Sequence, residues 1–212
     1  KTDVICEFRN NDIQNGGEGA PLAPIYHCFI MKQLNLKKPS CFINIGGVSN
    51  ITYLDHEKLI GFDTGPGNGL IDTYTQKILN LPYDKSGLLA SKGIINYEIV
   101  DIFLQNNYFS KSYPKSLDKN YFQQIFQLVI SKKMSHEDSL ATLTECTVQS
   151  ILLSLDQLPL KPKNIIIMGG GIYNKYLIKK LKSKSKITID LPSNLNFSGE
   201  MVEAELIAYI SA

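Results

Sequence analysis

Three glycine-rich turns, each directly after an apolar run, are the places where this sequence could carry chemistry. They are Ile43-Asn44-Ile45-Gly46-Gly47-Val48-Ser49-Asn50, Phe62-Asp63-Thr64-Gly65-Pro66-Gly67-Asn68 and Ile167-Met168-Gly169-Gly170-Gly171, the last with Asn174 entering the next segment. Glycine lets a backbone approach a ligand closely, and N–H groups at a following helix start attract anions. In the second turn an acid, Asp63, ends a strand just ahead of the glycines. That placement suits a general base or a group holding a metal-bound phosphate. In the third, three consecutive glycines offer a surface for a flat ring or a phosphate. Each turn also has a plain structural reading: a hairpin at Gly46-Gly47, an Asx turn or cap at Asp63, a strand-to-helix connection at Gly169 to Gly171.

Glu203 is a further candidate, because it shares a helical stripe with Leu206, Ile207 and Ile210 that should face inward. A carboxylate on such a face is costly unless paired or facing a cleft, and the alternative is a first-turn acid favoured by the helix dipole. His27, His56 and His136 have no nucleophile or metal partner at a suggestive spacing and read as structural or exposed. The run Lys179, Lys180, Lys182, Lys184 and Lys186 reads as a solvated helix end.

The elements that must position these groups alternate. Val4 to Phe8 reads as a strand and residues 16–21 as a loop; Leu22 to Leu34 suits a helix. Cys41 to Gly46, Asn50 to Leu54 and Leu59 to Asp63 form an expected antiparallel meander, followed by a helix from Leu70 to Leu79. Helices are expected at Tyr97 to Leu104 and Tyr121 to Ser131, and a long one at His136 to Leu158, where Leu140, Leu143, Thr147, Ile151 and Leu155 keep three-to-four spacing. Strand Ile165 to Met168, helix Tyr176 to Leu181, strand Ile187 to Leu191 and helix Met201 to Ile210 complete the chain. Strand–helix–strand implies a parallel pair with a right-handed crossover, so the class is α/β with a mixed sheet flanked by helices.

Composition narrows the function. The 212 residues carry 22 basic and 20 acidic side chains for a net charge of +2, with Arg9 the single arginine and 43% apolar residues. That is a globular chain without a surface for neutralising many phosphates, so nucleic acid is not an expected partner. No apolar run has the length of a membrane span, and the first residues given lack the charged-then-apolar form of a signal peptide. Cys6, Cys28, Cys41 and Cys146 are scattered, which fits reduced thiols in a cytoplasmic protein.

Taken in order, the motifs resemble the anhydro-N-acetylmuramic acid kinase family. The resemblance runs through Glu7-Phe8-Arg9, Gly16-Gly17-Glu18-Gly19-Ala20-Pro21-Leu22, residues 44–50, Asp63-Thr64-Gly65-Pro66-Gly67-Asn68 and Pro82-Tyr83-Asp84-Lys85. It continues with Pro114-Lys115-Ser116, Ala141-Thr142-Leu143-Thr144-Glu145, Gly169-Gly170-Gly171 and Val202-Glu203-Ala204. It implies an actin-like, ribonuclease H-like lobe of the sugar-kinase superfamily, in which two lobes close over ATP and substrate. Residues 1–190 would be the second lobe, and 191–212 a helix returning toward a first lobe absent from this sequence.

By the same resemblance, 1,6-anhydro-N-acetylmuramic acid and water become N-acetylmuramic acid 6-phosphate, with ATP and magnesium, in cytoplasmic cell-wall recycling. Asp63 would be the base that activates water. Glu203, Gly65, Asn68 and Glu18 would contact substrate, and Gly46, Gly47, Gly169, Gly170, Gly171 and Asn174 would hold ATP. No residue is assigned as a metal ligand. A homodimer and a separately encoded N-terminal lobe remain open as partners. The sequence departs from the family pattern at Glu7, Glu18, Gly69 and Leu117-Asp118-Lys119-Asn120, and the family's N-terminal phosphate loop is not among the 212 residues. The alternatives are a non-catalytic remnant, one part of a split kinase, or another sugar or acyl-phosphate kinase.

Overall fold

The structure, a computed structural model, describes residues 4–17, 19, 22–56, 58–195 and 202–211, the side chain of residue 203 excepted. The chain runs α1 (Asn10–Gln14), α2 (Ala23–Gln33), β1 (Ser40–Ile45), β2 (Ser49–Leu54), β3 (Leu59–Gly65), α3 (Gly69–Ile78), α4 (Tyr97–Leu104) and α5 (Gln123–Ser131). It continues with α6 (His136–Asp156), β4 (Asn164–Met168), α7 (Lys175–Lys184), β5 (Ile189–Asp190) and α8 (Val202–Ser211). The sheet order is β3-β2-β1-β4-β5, with β1, β2 and β3 antiparallel in sequence and β4 parallel to both β1 and β5.

Strand alternation decides how the layers form. In β1, Cys41, Ile43 and Ile45 enter the larger core with α3 to α7, while Phe42 points to the opposite face and meets Tyr26, Ile30, Met31, Val202 and Leu206 of α2 and α8. A sheet covered on both faces needs apolar residues at nearly every position, which is why β1 and β4 read as continuous apolar runs. α6 lies under the sheet and buries Leu140, Leu143, Ile151 and Leu155 at the expected spacing. Ser135 caps its start by accepting from the Asp138 N–H at 3.0 Å.

β1, β3 and β4 all run in one direction, so the three glycine turns leave the same end of the sheet. There they interlock. The Asn68 and Gly69 N–H groups donate to the carbonyls of Gly46 and Gly47 at 2.8 and 3.0 Å. Thr147 of α6 donates to the Gly67 carbonyl at 2.5 Å. A Cβ on Gly65 would strike Ser150 of α6, and one on Gly67, whose φ is +53°, would strike the Gly46 carbonyl.

Two expectations fail. Val4 to Phe8 is not a strand: Val4 and Ile5 are 81% and 59% exposed and lie beside no strand of the sheet. β-Branched residues make a strand only where a pleated surface receives them. The lysine run is not uniformly solvated either. Lys180 and Lys184 on α7 pair with Glu145, which is completely buried on α6, Lys180 at 3.6 Å and Lys184 closer.

Replacing Gly67 with Ala should lower unfolding stability by about 1–3 kcal/mol, because it combines a left-handed backbone with a clash against backbone. Gly47→Ala, which meets open space, should cost well under half of that in the same denaturant titration.

Candidate active site

Asp63 is 7% exposed near the end of β3, and residues 108–117 hold it at three atoms. Its N–H donates to the Lys115 carbonyl at 3.0 Å, its carbonyl accepts from the Tyr108 hydroxyl at 2.6 Å, and its Oδ2 accepts from the Leu117 N–H at 2.8 Å. Burial pushes the carboxyl up to about 6, while the Leu117 amide and the charge of Arg9 pull the other way. Desolvation wins, and the result is a carboxylate able to accept a proton near neutral pH.

Cross-strand register places Asn44, Asn50 and Asp63 in one row on the face that carries α2 and α8. The N-terminal segment supplies Arg9 to this region, where its guanidinium donates to the Gly19 carbonyl, and Gly19 N–H donates to Asp12 at 2.7 Å. Glu18 lies outside the described residues. Glu203 falls in the first turn of α8, on the same face of the sheet, and its side chain is likewise outside the description. Of the stripe read around it, Leu206 is buried whereas Ile207 is 45% exposed, so the inward face is narrower than the spacing suggested.

On the other side of the interlocked turns lies a cavity of about 480 Å³. Gly46, Gly47, Asn68, Gly170 and Asn174 line it, together with Asp72, Tyr83, Ser86 and Tyr173. Gly169 and Gly171 support it from behind, because a Cβ on either would run into Asn44 or Ile45. Gly65 packs against Ser150 and, like Asp63, does not line the cavity. The structure thus brings four of the six glycine and asparagine positions expected to hold nucleotide to one wall, and sets Asp63 across the turn from them. Asn174 does double duty, since its Oδ1 also caps α7 by accepting from Leu177 N–H at 3.1 Å.

Sequence reasoning missed Asp72. It sits one turn into α3, four residues after Asn68, and burial raises its carboxyl to about 6. A helical reading from Asn68 would have turned it toward the same opening. Asp84 also lines the cavity, but its two oxygens are taken by the N–H groups of Leu89 and Ala90 at 2.9 and 3.0 Å, which makes it a loop anchor. His27 is buried against Thr52 at 2.7 Å with its pKa lowered to about 4 by desolvation, and His56 is exposed; both fit a structural reading. Cys41 and Cys146 are buried thiols, Cys28 is partly buried and Cys6 is exposed.

Glycine backbone and a helix start border the cavity, and Asn68 Oδ1 is a buried acceptor without a partner among the described residues. An orphaned acceptor at the mouth of a cavity fits a ligand hydroxyl or an ordered water.

Two solved structures share this architecture. The activator of 2-hydroxyisocaproyl-CoA dehydratase from Clostridium difficile with bound ADPNP aligns with a TM-score of 0.52 at 15% identity, over 83% of this chain and 62% of that one. Component A of Acidaminococcus fermentans (R)-2-hydroxyglutaryl-CoA dehydratase gives 0.51 at 15% identity, over 90% and 67%. The fold is therefore an actin-like α/β lobe. The family model for anhydro-N-acetylmuramic acid kinase matches residues 1–212, and the chain belongs to that family. Curated relatives of that name include those of Zymomonas mobilis, 39% identical over all of this chain, and Ruegeria, 35% identical over 98% of it. The chain spans 57% of the length of each of these relatives.

The raised Asp63 pKa has a stability consequence. A carboxyl whose folded pKa exceeds its unfolded value near 3.8 stabilises the fold below that value and loses the contribution as pH rises through about 6. Asp63→Asn should therefore gain on the unaltered protein by about 1–3 kcal/mol between pH ~4 and ~7. Urea midpoints at both pH values check it.

Proposed function

We propose that this chain is the second lobe of an ATP-dependent anhydro-N-acetylmuramic acid kinase, a cytoplasmic enzyme of cell-wall recycling. The observation that carries the reading is Asp63: a buried carboxyl titrating near 6, fixed by backbone groups at the end of β3 and separated from a glycine-walled cavity only by the turn that follows it. Residues 1–190 form this lobe, and 191–212 lead back toward a first lobe. α8 itself packs against α2 on one face of this lobe's sheet.

ATP supplies the phosphoryl group, and magnesium neutralises its charge. The backbone of Gly46 and Gly47 orients the phosphates. Gly170, with Gly169 and Gly171 behind it, and Asn174 flank the nucleoside. His, Cys, Asp and Glu side chains do not gather in threes among the described residues, so phosphate oxygens and water would hold most of the magnesium shell, with Asp72 the half-buried carboxylate beside them. On the opposite side of the turn Asp63 takes a proton from the water that attacks the anomeric carbon, the bond from that carbon to O6 breaks, and O6 takes the γ-phosphoryl group as ADP leaves. The family resemblance assigns Glu18, Gly65, Asn68 and Glu203 to the sugar. Among the described residues no helix is long and apolar enough to cross a membrane.

A second reading, a non-catalytic remnant or one part of a split kinase, draws on the departures from the family pattern at Glu7, Glu18 and Leu117 to Asn120. Turnover separates the two. The isolated chain should leave ATP unconsumed with the anhydro-sugar, and supplying the remaining lobe should restore consumption. Asp63→Asn in the assembled enzyme should then lose about 10²–10⁴-fold in kcat, and the unaltered enzyme should lose activity below pH ~6 as the base is protonated. Undiminished turnover by the Asn variant contradicts the assignment of Asp63. Failure of every assembly to consume ATP favours the remnant.

A further inference from the structure

Lys115 is 5% exposed, and no carboxylate pairs with it among the described residues. Its ammonium instead spends its three protons on acceptors from three places: the Tyr108 carbonyl at 3.3 Å, the Lys111 carbonyl at 3.0 Å and Gln157 Oε1 at the end of α6 at 3.0 Å. The rings of Phe62 and Tyr108 lie 5.4 and 4.9 Å from the charge. Gln157 is fixed in turn, since its Nε2 donates to the Phe109 carbonyl at 2.5 Å. A buried ammonium is expensive, and a methionine or leucine would fill the same space at lower cost. The ammonium ties together backbone that no helix or strand holds, which an apolar side chain in its place could not do.

The residues it ties are those that grip Asp63. Tyr108 donates to the Asp63 carbonyl, Lys115's own carbonyl takes the Asp63 N–H, and Leu117, two residues on, donates to Oδ2. β3 is an edge strand, so its outer hydrogen-bonding groups would face water without this segment. The charged and titratable groups facing Asp63 are Arg9 and the Tyr108 hydroxyl, and the Lys115 ammonium acts through the chain it orders.

We infer that Lys115 is a positioning residue, whose ammonium knots residues 108–117 to the end of α6 so that the Leu117 amide stays on the Asp63 carboxylate. The inference takes its functional meaning from reading Asp63 as the base, but the contact itself exists without nucleotide or sugar. It can therefore be tested on this chain alone, whatever the outcome of the kinase assay.

The test is an NMR pH titration of the ¹⁵N-labelled chain. In the unaltered protein the Leu117 amide should follow the Asp63 carboxylate, with a midpoint near 6, and should exchange with solvent at least about tenfold more slowly than exposed amides of the same segment. In Lys115→Met the Leu117 amide should stop following Asp63 and lose about tenfold in protection. Gln157→Leu, which removes the Oε1 acceptor and the Nε2 bond to Phe109 but keeps the ammonium, should do so partially. A folded Lys115→Met in which Leu117 still follows Asp63 overturns the inference. If that variant does not fold, unchanged Leu117 behaviour in Gln157→Leu does so, as does an unprotected Leu117 amide in the unaltered chain.

Discussion

The site rests on a pair of backbone hydrogen bonds, from the N–H groups of Asn68 and Gly69 to the carbonyls of Gly46 and Gly47. They lock the turn after β3 onto the hairpin between β1 and β2. Each turn alone is short and rich in glycine, and each would carry a large conformational entropy if left free. Joined, they form one wall with two sides: a cavity behind and Asp63 in front. Gly67 can make this contact only without a Cβ, and Thr147 and Ser150 press the same loop from α6. The long helix under the sheet thus bears directly on the site.

Electrostatics follow from the same packing. Asp63 is driven upward by burial and partly restrained by the Leu117 amide and Arg9. Asp72 is raised by burial with no counter-charge. Two carboxyls on opposite sides of one turn therefore titrate close to neutrality by desolvation. Where burial is complete, as at Glu145, the fold supplies two lysines from α7 instead. That ion pair fastens α7, whose first turn carries Asn174 into the cavity wall.

Much of this was legible in the sequence because the governing signals are local. Alternation in Cys41–Ile45, the Gly46-Gly47 reversal and the heptad-like spacing from Leu140 to Leu155 fixed the meander and the long helix to within a few residues. The common direction of β1 and β3 followed from the short turns of the meander; the parallel pairing of β4 with β1, which brings the third glycine turn to the same end, joins strands far apart in the chain and was not legible. What escaped depends on partners far away in the chain. Val4 to Phe8 has strand composition and no strand beside it. Lys180 and Lys184 look like a solvated helix end until Glu145 is placed against them. Lys115 was visible only as part of a short motif, because its meaning lies in acceptors at Tyr108 and Gln157 that spacing does not reveal.

The most direct measurement of the central claim, that the interlocked turns are a nucleotide wall, is amide mapping on this chain with magnesium and a non-hydrolysable ATP analogue. Perturbations concentrated at Gly46, Gly47, Asn68 and Gly170, with β5 and α5 unmoved, are the expected result. Perturbations gathered away from these turns, or none at saturating analogue, would contradict it.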